Sequence, residues 1–133
     1  MNKYTETYKG IFSIFGTQEW LLKDIQTVPF NYSTVTTDTY IRVNIIASGE
    51  GINLSSTSGQ VIIEIYTPAG QGPLGSAVIA DSLDQFLVGK TVDCPLGGRV
   101  QFLKSGISIR GLDTANPALY KTMYVIPFSF YGV

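Results

Sequence analysis

The chain has no histidine and a single cysteine, Cys94, in 133 residues. One thiol excludes an internal disulfide and fits a reducing cytoplasm. Cys94 stands beside Pro95 in an expected turn, and a thiol nucleophile ordinarily works with a histidine base. The same lack leaves a serine nucleophile without its base and removes the imidazole ligands of most zinc sites. Only carboxylates remain as strong metal donors. Charge is also scarce: nine basic and ten acidic residues give a net charge of -1. The basic residues are scattered from Lys3 to Lys121 without a run. Nucleic-acid surfaces need clustered Lys and Arg to release counterions, so none is expected. No apolar run approaches the roughly 20 residues of a helical membrane span. Met1-Asn2-Lys3-Tyr4 opens an amphipathic segment and not a signal peptide. No membrane partner is expected.

What is present is a core. Many Tyr, Phe, Ile and Val with little charge argue against disorder. The length suits one domain, residues 1–133, with one hydrophobic core. Low charge also points to surface covered by partners.

Tyr4 to Phe15 reads as a helix with Tyr4, Tyr8, Ile11, Phe12 and Phe15 on one face and Glu6, Lys9 and Ser13 on the other. Trp20-Leu21-Leu22 reads as the start of a short strand, and Thr27 to Asp38 as an irregular connection. Thr39 to Ala47 alternates as a strand, with Ile41, Val43 and Ile45 on one face and Tyr40, Arg42 and Asn44 on the other. Ser48 to Gly59 is a Gly/Ser/Asn-rich loop of a length that usually signals function or mobility. Gln60 to Thr67 is a second strand, facing Val61, Ile63 and Ile65 one way, Glu64 and Tyr66 the other. The two strands predict a long-looped hairpin.

Pro73 to Leu87 is an amphipathic helix opened by proline at its first turn. Ser76, Ile79, Ala80, Leu83, Phe86 and Leu87 form its core face. Leu74, Ala77, Val78, Asp81 and Gln85 lie opposite, and Leu74 and Val78 are unusual for a solvated face. That face is a candidate subunit contact; scattered exposed apolar residues are the plainer reading. Strand segments follow at Lys90 to Asp93, Val100 to Lys104 and Ser105 to Arg110, the last two around a turn or bulge at Ser105-Gly106. Leu112 to Leu119 reads as a loop and Thr122 to Tyr131 as the closing strand. Pro127 cannot donate to a ladder and belongs at an edge or a bulge. The order predicts an α+β domain, a mostly antiparallel β-sheet with two main helices packed on one face.

Two chemical readings compete with a structural one. Gly70-x-Gly72-x-x-Gly75 matches the dinucleotide fingerprint, with a strand before it, a helix after it and Asp93 about 20 residues on. Against it, Pro68 ends the strand early and Pro73 removes a donor where a phosphate would need one. The plainer reading is a tight strand-to-helix corner. Asp81 and Asp84, one turn apart, offer a carboxylate pair, better read as solvated or interface-facing. Glu64 reads as a solvent-side or intersubunit ion pair, with a buried acid as the alternative. No paired-carboxylate cleft of the glycosidase kind is legible. Neither a catalytic residue, a cofactor nor a metal is expected, and the chain reads as a non-enzyme.

The chain resembles the small tail-terminator and tail-completion proteins of long-tailed bacteriophages. The resemblance rests on Val28-Pro29-Phe30, Tyr40-Ile41-Arg42-Val43 and the block from Gly59 to Pro73 through Tyr66-Thr67-Pro68-Ala69-Gly70-Gln71-Gly72. An Ala-Asp-bearing helix, a basic strand from Arg99 to Arg110 and Tyr124-Val125-Ile126-Pro127-Phe128 extend it. The Trp20 to Gln26 segment and the length of the Thr27 to Asp38 connection depart from the family pattern. The resemblance implies an α+β subunit that forms a ring, commonly a hexamer, at the head-proximal end of the tail. Such a ring ends tail polymerisation and faces the head–tail connector. Implied partners are further copies of the chain, the tail tube protein and a head-completion or connector protein, with DNA only as cargo through the lumen. The implied location is the virion tail or neck, with assembly in the host cytoplasm. A ring needs two different patches on each subunit. Leu74, Ala77, Val78, Asp81 and Gln85 are expected to supply one, and an edge strand or the loop residues Glu50 and Asn53 the other.

Overall fold

The computed structural model describes residues 3–23, 25–29, 39–50, 56–68, 70, 72–94, 97–112 and 119–132. Its elements, in chain order, are α1 (Lys3–Phe15), α2 (Gln18–Leu21), β1 (Gln26–Pro29), β2 (Tyr40–Glu50), β3 (Ser56–Pro68), α3 (Gly72–Leu87), β4 (Thr91–Asp93), β5 (Arg99–Phe102), β6 (Gly106–Leu112) and β7 (Leu119–Tyr131). The strands form one sheet in the order β1-β2-β3-β7-β5-β4, with β6 also on β7. Every ladder is antiparallel except β1–β2. This is the expected α+β class.

Alternation builds the core. Val43, Ile63 and Tyr124 share one register row, so every second residue of β2, β3 and β7 points to the same face. Ile41, Val43, Ile45, Val61, Ile63, Ile65, Tyr124, Ile126, Phe128 and Phe130 are all buried there, joined by Val100 and Phe102 of β5. The helices cover that face: α1 packs on β3, β4 and β5, and α3 on β3 and β7. The α3 core face is as expected, with Ser76, Ile79, Ala80, Leu83 and Leu87 buried and Phe86 half-buried.

The helix α1 corrects its sequence reading. Its buried line is Glu6, Thr7, Gly10, Ile11, Ile14 and Phe15. Tyr4 (52 % exposed), Tyr8 and Phe12 stand on an open flank. The cause is close approach: a Cβ placed on Gly10 would lie 2.5 Å from Cys94 Sγ. At that point only a small residue fits, so Gly10 takes the inward line between Thr7 and the larger Ile11, Ile14 and Phe15, while Tyr4, Tyr8 and Phe12 turn aside.

Trp20-Leu21-Leu22 starts no strand. Thr17, extended at φ -69 and ψ 151, caps the helix α2 by accepting from the Trp20 backbone N–H. Trp20 turns inward while Leu21 and Leu22 are exposed. The connection expected to be irregular from Thr27 contains β1, which takes its order from parallel pairing with Tyr40 to Val43; residues 30–38 lie outside the described set.

The expected hairpin is present, but the strands run further than predicted. The ladder continues past a register shift to Gly49↔Ser58 and Glu50↔Thr57, leaving only 51–55 outside the described residues. Pro127 sits opposite the break between β5 and β6, where the register shifts by one residue, and its carbonyl accepts from Leu103 N–H at 3.0 Å. The irregularity expected of a proline strand is therefore at that break.

Candidate assembly surfaces

The outer face of α3 is exposed but not flat. It forms one wall of a groove of about 600 Å³, with Leu74, Val78 and Ser82 facing Ile25 and Thr39 from the β1 side. Lys23 also lines it, and joins it to a second hollow of about 530 Å³ between Glu19, Leu22, Gln85 and Phe86. Leu74 is 75 % exposed and Val78 59 %, with Leu21 and Leu22 exposed nearby in sequence to Lys23. Leu74 and Val78 are one helical turn apart and so act as a pair.

Of the residues expected to carry subunit contacts, Leu74 and Val78 line the groove and Gln85 the adjoining hollow. Ala77 is half-buried and Asp81 exposed on the same helix. Glu50 ends β2 opposite Thr57; its side chain, like the whole of Asn53, lies outside the described residues. The facing wall, Ile25 and Thr39, escaped the sequence reading because it depends on α2 and β1, which were not recognised. The N-cap Thr17 was the available signal.

The opposite edge of the sheet is different in kind. Among the described strands, β6 pairs only with β7 and its outer edge is open. It lies level with β1: the rows Gln26–Tyr40–Tyr66–Lys121–Gly111 and Pro29–Val43–Ile63–Tyr124–Ile107 run from β1 through β2, β3 and β7 to β6. Ile107 is 49 % exposed, flanked by exposed Lys104 and Arg110.

On the face away from the helices, Glu64 is buried. Its carboxylate meets Lys121 Nζ at 2.9 Å and Arg42 Nη1 at 3.5 Å, and accepts from the Tyr66 hydroxyl at 3.2 Å. Tyr66 stacks on Tyr40 with centroids 4.6 Å apart, and both cations approach its ring. Glu64 thus takes its cations from its own chain, on both neighbouring strands; it is the buried acid of the alternative reading and not the expected solvent-side or intersubunit pair. Asp84 is likewise no partner of Asp81. It accepts from Tyr124 Oη at 2.7 Å and Ser105 Oγ at 2.6 Å, tying α3 to β7 and to the start of β6.

These networks have a pH consequence. Burial, and then the Glu64 carboxylate, push the Tyr66 hydroxyl well above the usual tyrosine range. Burial, and then its bond to Asp84, do the same for Tyr124. In the unfolded chain both titrate near 10. Above that pH the unfolded state has lost protons that the native state keeps, so stability falls as pH rises. Urea unfolding should show constant stability from neutral pH to about 10 and a fall beyond it. The fall should be shallower in the Tyr66→Phe, Tyr124→Phe double variant; an equal fall would show that these hydroxyls are not the cause.

The glycine fingerprint does not build its site. Gly72 is the first residue of α3 and Gly75 lies within it, beside the groove. Both neighbours of β3 are antiparallel to it, and β4, the strand after α3, lies at the far edge of the sheet. Among the described strands, no parallel β-α-β unit surrounds the turn. A Cβ on Gly70 would meet nothing within 4 Å, so no close backbone approach explains this glycine. Asp93 stands exposed on that far edge, 3.1 Å from Arg99 Nε. Cys94 is buried, and burial, then Glu6 and Asp93, push its thiol upward, away from the reactive thiolate.

No protein-family model matches the chain, and no curated protein matches it. Solved structures share its fold. One, whose name carries no functional meaning, superposes with a TM-score of 0.61 at 14 % identity over 98 % of this chain and 94 % of its own. Another is a chain in the virion of a native gene transfer agent particle, with a TM-score of 0.63 at 14 % identity over 92 % of each chain. At that identity the likeness is one of fold.

Proposed function

We propose that this chain is a non-enzymatic virion structural protein. Copies of it close into a ring, of the hexameric kind common in the family it resembles, at the head-proximal end of a tail tube. The ring ends tube polymerisation and joins the tail to a head-completion or connector protein, with DNA passing through the lumen as cargo. Assembly takes place in the host cytoplasm. The observation that carries this reading is the fold shared, along nearly the whole chain, with a component of a gene transfer agent virion. The surface supports it. A closed ring needs a heterologous contact, one patch meeting a different one on the next copy. The molecule offers an apolar groove on one edge and an open strand on the other. The burial of Cys94 and the use of Glu64 and Asp84 in structural networks support the non-enzymatic reading.

The test is self-association of the Val78→Asp variant, followed by light scattering. Val78 is exposed in the single chain, so the variant should fold and melt as the wild type does. A carboxylate buried in an apolar contact is costly. Association should weaken by about thirtyfold or more, the effect of an interface hot spot. Assembly equal to wild type would remove the groove from the interface.

A further inference from the structure

We propose that the open edge strand β6, with Ile107 and its flanking Lys104 and Arg110, seats in the α3 groove of a second copy of this chain. The inference rests on the ring reading and names the two surfaces that close it.

Three observations favour this occupant over another. The first is level. β1, beside the groove, and β6 are opposite ends of the same register rows. A neighbour placed beside the sheet at the same height therefore brings its β6 to the groove, and the step repeats with the same handedness. Ile107 pairs with Tyr124 on the helix-covered side of the sheet, the side on which the groove lies.

The second is charge. From Arg99 to Leu112 the chain carries Arg99, Lys104 and Arg110 and no acid. Arg99 is held by Asp93. Lys104 and Arg110 stand exposed three residues to either side of Ile107. The charged side chain that lines the groove is Lys23; Glu19 lines the adjoining hollow, and Asp81 stands exposed on α3, three residues after Val78. A basic edge laid along the apolar groove has the carboxylates of Glu19 and Asp81 as its candidate partners, and paired charges beside an apolar centre set register in specific interfaces.

The third is the strand itself. An edge with unpaired backbone groups is a template for another chain unless something covers it. Gly106, Ile107 and Ser108 are all exposed on that edge. The groove of the next copy supplies the cover.

The experiment mixes two variants. Val78→Asp spoils the groove and leaves β6 intact; Ile107→Asp spoils the edge and leaves the groove intact. Each alone should be monomeric by native mass measurement. Mixed in equal amounts they should form a heterodimer that goes no further, because the pair has one intact junction. The Lys104→Glu, Arg110→Glu double variant, which leaves the strand's apolar residue in place, should also fail alone and pair with Val78→Asp. If the Ile107 and Lys104/Arg110 variants both assemble as wild type, the edge assignment is wrong while the ring reading stands. If all are monomeric and the mixtures stay monomeric, both surfaces serve assembly but do not meet, and the inference again fails. A wild-type chain that stays monomeric at every concentration would remove the ring reading and this inference together.

Discussion

Trp20→Ala should destabilise the protein by about 4 kcal/mol, the scale of emptying a large aromatic site in a core. Trp20 is 1 % exposed. It packs edge-to-face on Phe15 and on Phe86, with centroids 5.2 Å apart in both cases, and its Nε1–H donates to Thr27 Oγ1 at 3.0 Å. One side chain thus connects the end of α1, the end of α3 and the first strand. Such aromatic pairs add to the area they bury. Trp20 also holds the α2–β1 segment that faces α3, so the variant should lose groove-dependent assembly as well. Trp20→Phe should keep most of the packing and lose the hydrogen bond, for about 1–2 kcal/mol. Urea unfolding measures both, and a loss under about 1 kcal/mol for the alanine variant would contradict the packing described.

Gly59→Ala should cost about 3 kcal/mol, at the upper end of what one inserted methyl does. A Cβ there would overlap the Ile46 carbonyl oxygen and approach Ile46 C and Ala47 Cα. All three are backbone atoms, so no rotamer change relieves the clash. Gly59 sits where the β2–β3 ladder shifts register between Ile46 and Gly49, and directly across from Phe128 on β7. Strands on both sides are fixed, which blocks an easy retreat. Denaturant titration with an unchanged m-value would read the loss directly; a near-neutral variant would mean that the bulge opens freely.

These two positions mark the limit of what the chain disclosed before its structure. The strands β2, β3 and β7 were legible because their apolar residues alternate, and α3 because its apolar face repeats with the helical period. Gly59 was read as loop, since nothing local says that a glycine opposite a bulge is strand. Trp20 was read as strand because four residues are too few to show a helical period. Of the expected face of α1, Ile11 and Phe15 are buried; Tyr4, Tyr8 and Phe12 are not, because hydrophobicity favours them whereas the geometry is set by the smallness of Gly10. The partners of Glu64 come from the strands on either side, Arg42 from β2 and Lys121 from β7, and register of that range is a tertiary property. On the candidate surface, Leu74 and Val78 were visible as apolar residues on the wrong side of a helix. The wall opposite them was not, because it is formed by a segment whose order is borrowed from β2.

The central claim is that this subunit closes head-to-tail into a ring. Native mass measurement of the wild-type chain at increasing concentration tests it most directly. The account predicts monomer giving way to a single closed oligomer, with few intermediates, because only ring closure satisfies the groove and the edge of every copy. A chain that remains monomeric throughout, or that stops at a symmetric dimer, would contradict it.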